Sequence, residues 1–354
     1  MLAGGGTMKQ FTGTFGWMFK VFMTTVILVP ALATSAMAHY AIIDLGTLGG
    51  LSSWGYSINN LRQVAGSSTT AAGEGHAFLY GARSGMLDLG TLGGNNSQGF
   101  SINDFKQIAG TSETVIDGEE HAFFYSARTG MLDLGTLGGN HSEGSGINNF
   151  GQVTGTSETV DGDHAFLYRA KKGMKDLGTL GGYGSYGYGI NNPGQVTGES
   201  ETTGNAAYHA FLYSAKQGMK DLGTLGGSWS RGFSISDSKQ VTGESSITGD
   251  TTWHAFLYSA RKGMKDLGTL GGSTSGGYGI NSFGQVTGYS DIAGNATYHA
   301  FLYSAGHMRD LNDLLPSSSG WTLMQGWGIN DLGQITGYGT INGQYHAFLM
   351  TPVH

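Results

Sequence analysis

A chain of 354 residues with 64 glycines, four prolines and no cysteine excludes a disulfide scaffold, a thiolate zinc site and a proline-rich linker. Beyond residue 38 it carries 16 Lys and Arg against 25 Asp and Glu, a net charge of −9. An acidic chain with no basic run argues against nucleic acid or an anionic membrane as partner.

Residues 1–38 differ from the rest. Lys9 and Lys20 are their only charges, an apolar run extends from Val21 to Leu32, and Ala36, Met37 and Ala38 form a small-x-small cleavage triplet. The run is too short for a membrane span of about 20 residues, so the pattern predicts a signal peptide over 1–38. Its start is either Met1 or Met8. The remainder, 39–354, is expected to be one exported domain without an integral membrane segment, in the periplasm or outside the cell.

From residue 40 onward the glycines recur at fixed places, as turns do, and four motifs repeat seven times in fixed order. His-Ala-Phe begins at His76, His121, His164, His209, His254, His299 and His346. Ile-Asn or Ile-Ser falls at Ile58, Ile102, Ile147, Ile190, Ile235, Ile280 and Ile329, and Gln-Val/Ile-x-Gly begins five residues after each Ile. Asp-Leu recurs at Asp44, Asp88, Asp133, Asp176, Asp221, Asp266 and Asp310. These segments are of strand length, rich in β-branched and aromatic residues, and separated by Asn, Gly and Ser turn chemistry. Four strands in a unit of about 45 residues match a propeller blade.

The fold expected is therefore all-β: a seven-bladed β-propeller of four-stranded antiparallel blades. Its closure is written at the two ends. Tyr40–Leu48 reads as a fourth strand with no blade before it, while the last unit stops after its third strand. The N-terminal strand should complete the last blade, because an open array would leave two exposed edges.

His-Ala-Phe-Leu-Tyr, Ile-Asn-x-x-Gly-Gln-Val-x-Gly and Asp-Leu-Gly-Thr-Leu-Gly-Gly resemble the bacterial HAF family of probable extracellular repeat proteins. The resemblance covers residues 40–350 and implies export and a propeller-like repeat fold; it brings no catalytic residue. The last unit departs from it, with Asp310-Leu-Asn-Asp-Leu-Leu-Pro in place of the glycine-rich run.

In such a blade the first-to-second and third-to-fourth loops open on one face, and the second-to-third and blade-to-blade loops on the other. Ile to Gln is always five residues and His to Asp 12 or 11, so the first face is uniform. Gln to His varies from 12 to 14, and Asp to Ile jumps from 14 to 19 in the last unit. Variable loops on a rigid scaffold are where binding usually sits. On that face the position four before Ile reads Trp54, Gln98, Glu143, Tyr186, Arg231, Gly276 and Gln325, and four consecutive units place Tyr208, Trp253, Tyr298 and Tyr345 before the His. With Trp321 in the long last loop, Trp54, Tyr186 and Arg231, these aromatics are the candidate contacts for a glycan or protein surface. Drift of solvated loops is the competing explanation. The aromatic two before Ile, as in Tyr56, Phe100, Tyr188, Phe233 and Tyr278, reads as packing between blades, and Trp327 shares its register.

Each of the seven histidines belongs to a different blade, so they cannot converge on one metal ion. The near-constant spacing instead predicts that each buried imidazole bonds the Asp of the neighbouring strand, with His346 reaching Asp44 from the other end of the chain. No cofactor is called for. Calcium is the one metal the loops allow, at Asp161 and Asp163, at 116–120 and at 248–250, but none has the EF-hand spacing. No nucleophile elbow, phosphate loop or zinc-protease motif is present. The sequence thus points to a binding or scaffolding protein, with a hydrolase or lyase acting on extracellular polymers, or a structural envelope role, as alternatives. A deep acid-lined funnel on the axis would favour catalysis, and flat aromatic patches would favour binding.

Overall fold

The computed structural model describes residues 39–115, 118–205 and 207–353. The signal-peptide reading over 1–38 lies outside them. Among the described residues the chain forms seven four-stranded antiparallel sheets, six of them with their strands in sequence order, together with two three-residue 3-10 turns. They are the blades of a β-propeller. Blade 4 shows the pattern: an inner strand Gly181–Ile190, then Val196–Thr202, Tyr208–Ser214 and a short outer strand Gly218–Asp221.

The last blade takes its outer strand from the start of the chain. His39–Asp44 pairs antiparallel with Gln344–Val353, Asp44 lying opposite Phe348. Tyr40 is buried beside Phe348 and Met350. Leu45, just beyond the strand, is buried with Ile58, Val64 and Phe78 of blade 1 and Leu349 of blade 7, so the clasp also fills the seam it closes.

The Phe of each His-Ala-Phe is fully buried in all seven blades. It packs where one blade meets the next, as Phe211 does with Val196 of its own blade and Ala165 and Leu167 of blade 3. Each such side chain contributes about 1.5–3 kcal/mol of transfer free energy. The glycine of Gln-Val-x-Gly is required by close approach: a Cβ on Gly243 would stand 1.8 Å from the Arg231 carbonyl oxygen. The inner strand is bulged at this point, between Gly232 and Ser234, and presses its backbone onto the second strand.

Polar ties join blade to blade. On the uniform face the Asn59 side chain donates to the Asn103 carbonyl, and the same bond recurs from Asn103, Asn148, Asn191 and Asn281 to the next blade. Asn330 donates to the Asn59 carbonyl across the last junction, so six of the seven junctions carry this tie, with Ser236 in place of the Asn at the seventh. Farther out, the Ser230 hydroxyl accepts the Ala210 N–H and donates to the Gly223 carbonyl, a clip repeated at five other junctions. The junction into blade 7 differs. There the Asn312–Leu314 turn of the divergent last unit lets Asn312 accept from Leu323 N–H and donate to its carbonyl, while Leu311, Leu314 and Leu323 fill the space.

All seven His–Asp contacts form, with His209 Nδ1 2.8 Å from Asp221 Oδ2 and His346 Nδ1 2.9 Å from Asp44 Oδ2. The geometry is diagonal rather than face-on, because Asp221 pairs in register with Phe211. The pairs are less buried than expected. The histidine is largely covered, but the Asp221 side chain is 44% exposed, since the outer strand is an edge facing solvent.

Candidate ligand-binding funnel on the propeller axis

The inner strands run toward the uniform face, so the residues two and four before each Ile lie successively farther along the axis toward the variable face. The residues two before Ile form a belt around the axis. Ring centroids of Tyr56 and Phe100 are 5.3 Å apart, of Tyr188 and Phe233 5.4 Å, of Phe233 and Tyr278 5.2 Å, and Trp327 stands 5.0 Å from both Tyr278 and Tyr56. These rings do pack between blades, as the sequence suggests, and they also partition the channel. The belt is broken once, at blade 3, where the residue is Ser145.

Below the belt lies a chamber of about 230 Å³, and below that the mouth ringed by Asn59 and its equivalents. Above it, toward the variable face, a cavity of about 380 Å³ opens with the belt as its floor and Glu143, Arg231 and Glu244 on its walls. The indole N–H of Trp327, part of that floor, is buried and has no hydrogen-bond partner among the described residues.

Arg231 is the centre of a polar network across blades 4 to 6. Its Nε lies 2.8 Å from Glu199 Oε2 and its Nη1 3.6 Å from Glu244 Oε1, while the guanidinium stacks over Trp229 with 5.3 Å to the ring centre. Tyr188 donates to Glu199 at 2.7 Å, Tyr289 donates to Glu244 at 3.4 Å, and Trp253 Nε1 donates to the Tyr289 hydroxyl at 2.7 Å. Burial pushes the Glu244 carboxyl up to about 7, against the pull of Arg231 and the Tyr289 bond. Burial likewise raises the Tyr188 and Tyr278 hydroxyls and the Glu143 carboxyl, which accepts a hydrogen bond from the Ser145 hydroxyl at 3.2 Å.

The sequence-predicted residues divide between the funnel and its rim. Arg231 lines the funnel. Trp54 stands at the same register in blade 1, opposite Ser67. Tyr186 donates to Asp163 at 3.4 Å and packs against Tyr208, their ring centres 6.1 Å apart. Trp253 packs on Trp229 and ties blade 5 to blade 6. Tyr298 packs edge-on against Tyr289 and its hydroxyl lies 3.1 Å from that of Tyr338 in blade 7. Tyr345 is 48% exposed beside Tyr338. Trp321 sits apart, packed on Phe348 and the core of the last blade. The rim aromatics thus combine cross-blade ties with partly open faces.

Glu199, Glu244, Tyr289 and Tyr338 escaped the sequence reading. They follow the glycine of Gln-Val-x-Gly, a position that reads Ser67, Thr111 and Thr156 in blades 1–3 before turning large or charged. Variation just beyond an otherwise fixed motif is the signal in the sequence that marks them. Among the described residues no three His, Asp or Glu side chains converge as a metal-ligand set; Ile116 and Asp117 of one calcium-compatible loop lie outside them. No helix among the described residues is long and apolar enough to cross a membrane.

Several solved structures are similar to this chain in fold. TolB from Acinetobacter baumannii is 11% identical with a TM-score of 0.46, over 82% of this chain and 63% of that one. Dipeptidyl peptidase 4 from Porphyromonas gingivalis is 10% identical with a TM-score of 0.46, over 82% and 50%. The gluconolactonase XC5397 from Xanthomonas campestris is 8% identical with a TM-score of 0.43, over 91% and 93%. The chain therefore spans about half to two thirds of the first two. No family model and no curated protein matches it.

Proposed function

We propose that this is an exported binding protein that takes the end of a glycan into the axial funnel of its variable face, with the rim aromatics as an outer platform. One observation carries the reading: a concave cavity of about 380 Å³, floored by aromatic rings and walled by Glu143, Arg231 and Glu244, opens toward the variable face. That volume lies in the range of small-ligand pockets, roughly 300–1,000 Å³, and favours a saccharide end over a flat protein surface. Aromatic faces stack on sugar rings while fixed carboxylate and guanidinium groups accept and donate to hydroxyls. The closed ring holds these groups in place before binding, which lowers the ordering cost.

The test is a glycan array followed by titration calorimetry, using Ser145→Tyr to complete the aromatic belt and Tyr345→Ala to alter the rim. Ser145→Tyr should weaken the best hit by about tenfold or more with little change in melting temperature, since the six other blades hold aromatics at that register. Undiminished binding in Ser145→Tyr together with loss in Tyr345→Ala would move the site to the rim.

Hydrolysis of the bound saccharide is the second reading, favoured by the Glu244 carboxyl at about 7, where it could act as a general acid. Release of new reducing ends that stops in Glu244→Gln while binding persists would establish it.

A further inference from the structure

We propose that the saccharide entering the funnel carries a protonated amine, as an unacetylated amino sugar does, and that this ammonium seats over Ser145 with Glu143 as its counter-ion. The inference rests on the funnel being a glycan site and adds the charge of the ligand's first residue.

The belt supplies the place. Six of its seven positions are aromatic, and Ser145 leaves a notch between Phe100 and Tyr188 in the funnel floor. Both neighbours line the same cavity, so a group in the notch has an aromatic ring on either side. Aromatic faces attract a desolvated cation, and flanking rings with a carboxylate are the usual chemistry of ammonium recognition.

Glu143 supplies the charge. It lies two residues before Ser145 on the same inner strand, on the wall of the cavity, and among the described residues no Lys, Arg or His forms an ion pair with it. The other carboxylate on the wall, Glu244, shares Arg231 with Glu199 and is bonded by Tyr289. The remaining charges acting on Glu143 are His141 on its own blade and Glu120 of blade 2, one of each sign. Glu143 is thus a carboxylate drawn out of water and held by one hydroxyl. Such a group gains from a cationic partner more than an exposed one does. Arg231 is paired with Glu199, and Glu244 holds its proton up to about 7, so Glu143 is the wall carboxylate left to meet a cation.

Paired ligands isolate the claim, because glucosamine and N-acetylglucosamine oligomers of equal length differ in the charge of the amine. Titration calorimetry of the full protein should show the glucosamine trimer bound at least about tenfold more tightly than its N-acetyl counterpart at pH 6. Glu143→Gln should abolish that preference by weakening the glucosamine trimer about tenfold more than the N-acetyl trimer. The melting temperature of Glu143→Gln checks that it is folded, and Ser145→Tyr, which fills the notch from the other side, should remove binding of the glucosamine trimer independently. Equal affinity for the two trimers, or a preference that survives Glu143→Gln, overturns the cation assignment and leaves the glycan reading standing. Failure of every saccharide on the array to bind overturns both.

Discussion

The charge of Glu244 depends on its place in the ring. Its folded carboxyl titrates near 7, above the ordinary 4.5, because burial outweighs Arg231 and Tyr289. The folded state therefore holds the proton more tightly than the unfolded chain does. Stability from this group is complete below about 4.5 and is lost as pH rises through about 7. Glu244→Gln, neutral throughout, should match the parent at pH 4.5 and exceed it at pH 8.5 by on the order of 2–3 kcal/mol. Urea denaturation at the two pH values measures it, and an equal difference at both would contradict the burial account. The His–Asp pairs make a smaller contribution. Asp221 is 44% exposed, so His209→Ala should cost only about 1 kcal/mol. Asp221→Ala should cost more, because Asp221 Oδ1 also accepts the Gly223 N–H at 2.7 Å. A double mutant less destabilised than the sum would show the coupling by denaturation. The pairing itself was legible from a constant spacing; its exposure was not, since spacing does not reveal that the outer strand faces solvent.

At the scale of the strand, the glycine after Gln-Val-x is the most tightly constrained position. Gly243→Ala would drive a methyl group to within 1.8 Å of the Arg231 carbonyl, and the bulge that brings the strands together must shift. A loss of about 2–4 kcal/mol is expected by denaturation, and a neutral substitution would mean that the strands are not so close. The clasp strand has a different weakness. Removing residues 39–48 takes away Tyr40, Leu45 and a whole ladder of hydrogen bonds to Gln344–Val353. The truncated protein should melt far below the parent or aggregate through the bared edge; parent-like melting would show that closure adds little. Strand content, blade number and the clasp were readable because they follow from local periodicity and the order of elements. The Asn ring was not read, although Asn follows Ile in six of seven units, because its partners lie in the next blade.

At the scale of the molecule, repetition builds the ring and departures from repetition build the site. The sequence marked the variable face, and Arg231 among its candidates does line the cavity. It pointed first to the rim aromatics, because a residue-by-residue comparison of loops has no axis in it. The inner and second strands meet around that axis only once the ring closes, bringing Arg231, Glu199 and Glu244 from two blades into one network. The most direct measurement of the central claim is a crystal structure of the protein with the tightest-binding saccharide from the array. The account predicts density for its terminal sugar above the aromatic belt, in contact with Tyr278 or Trp327 and within hydrogen-bond reach of Glu143, Arg231 or Glu244. A saccharide bound on the outer rim or the uniform face, with the funnel holding only water, would contradict it.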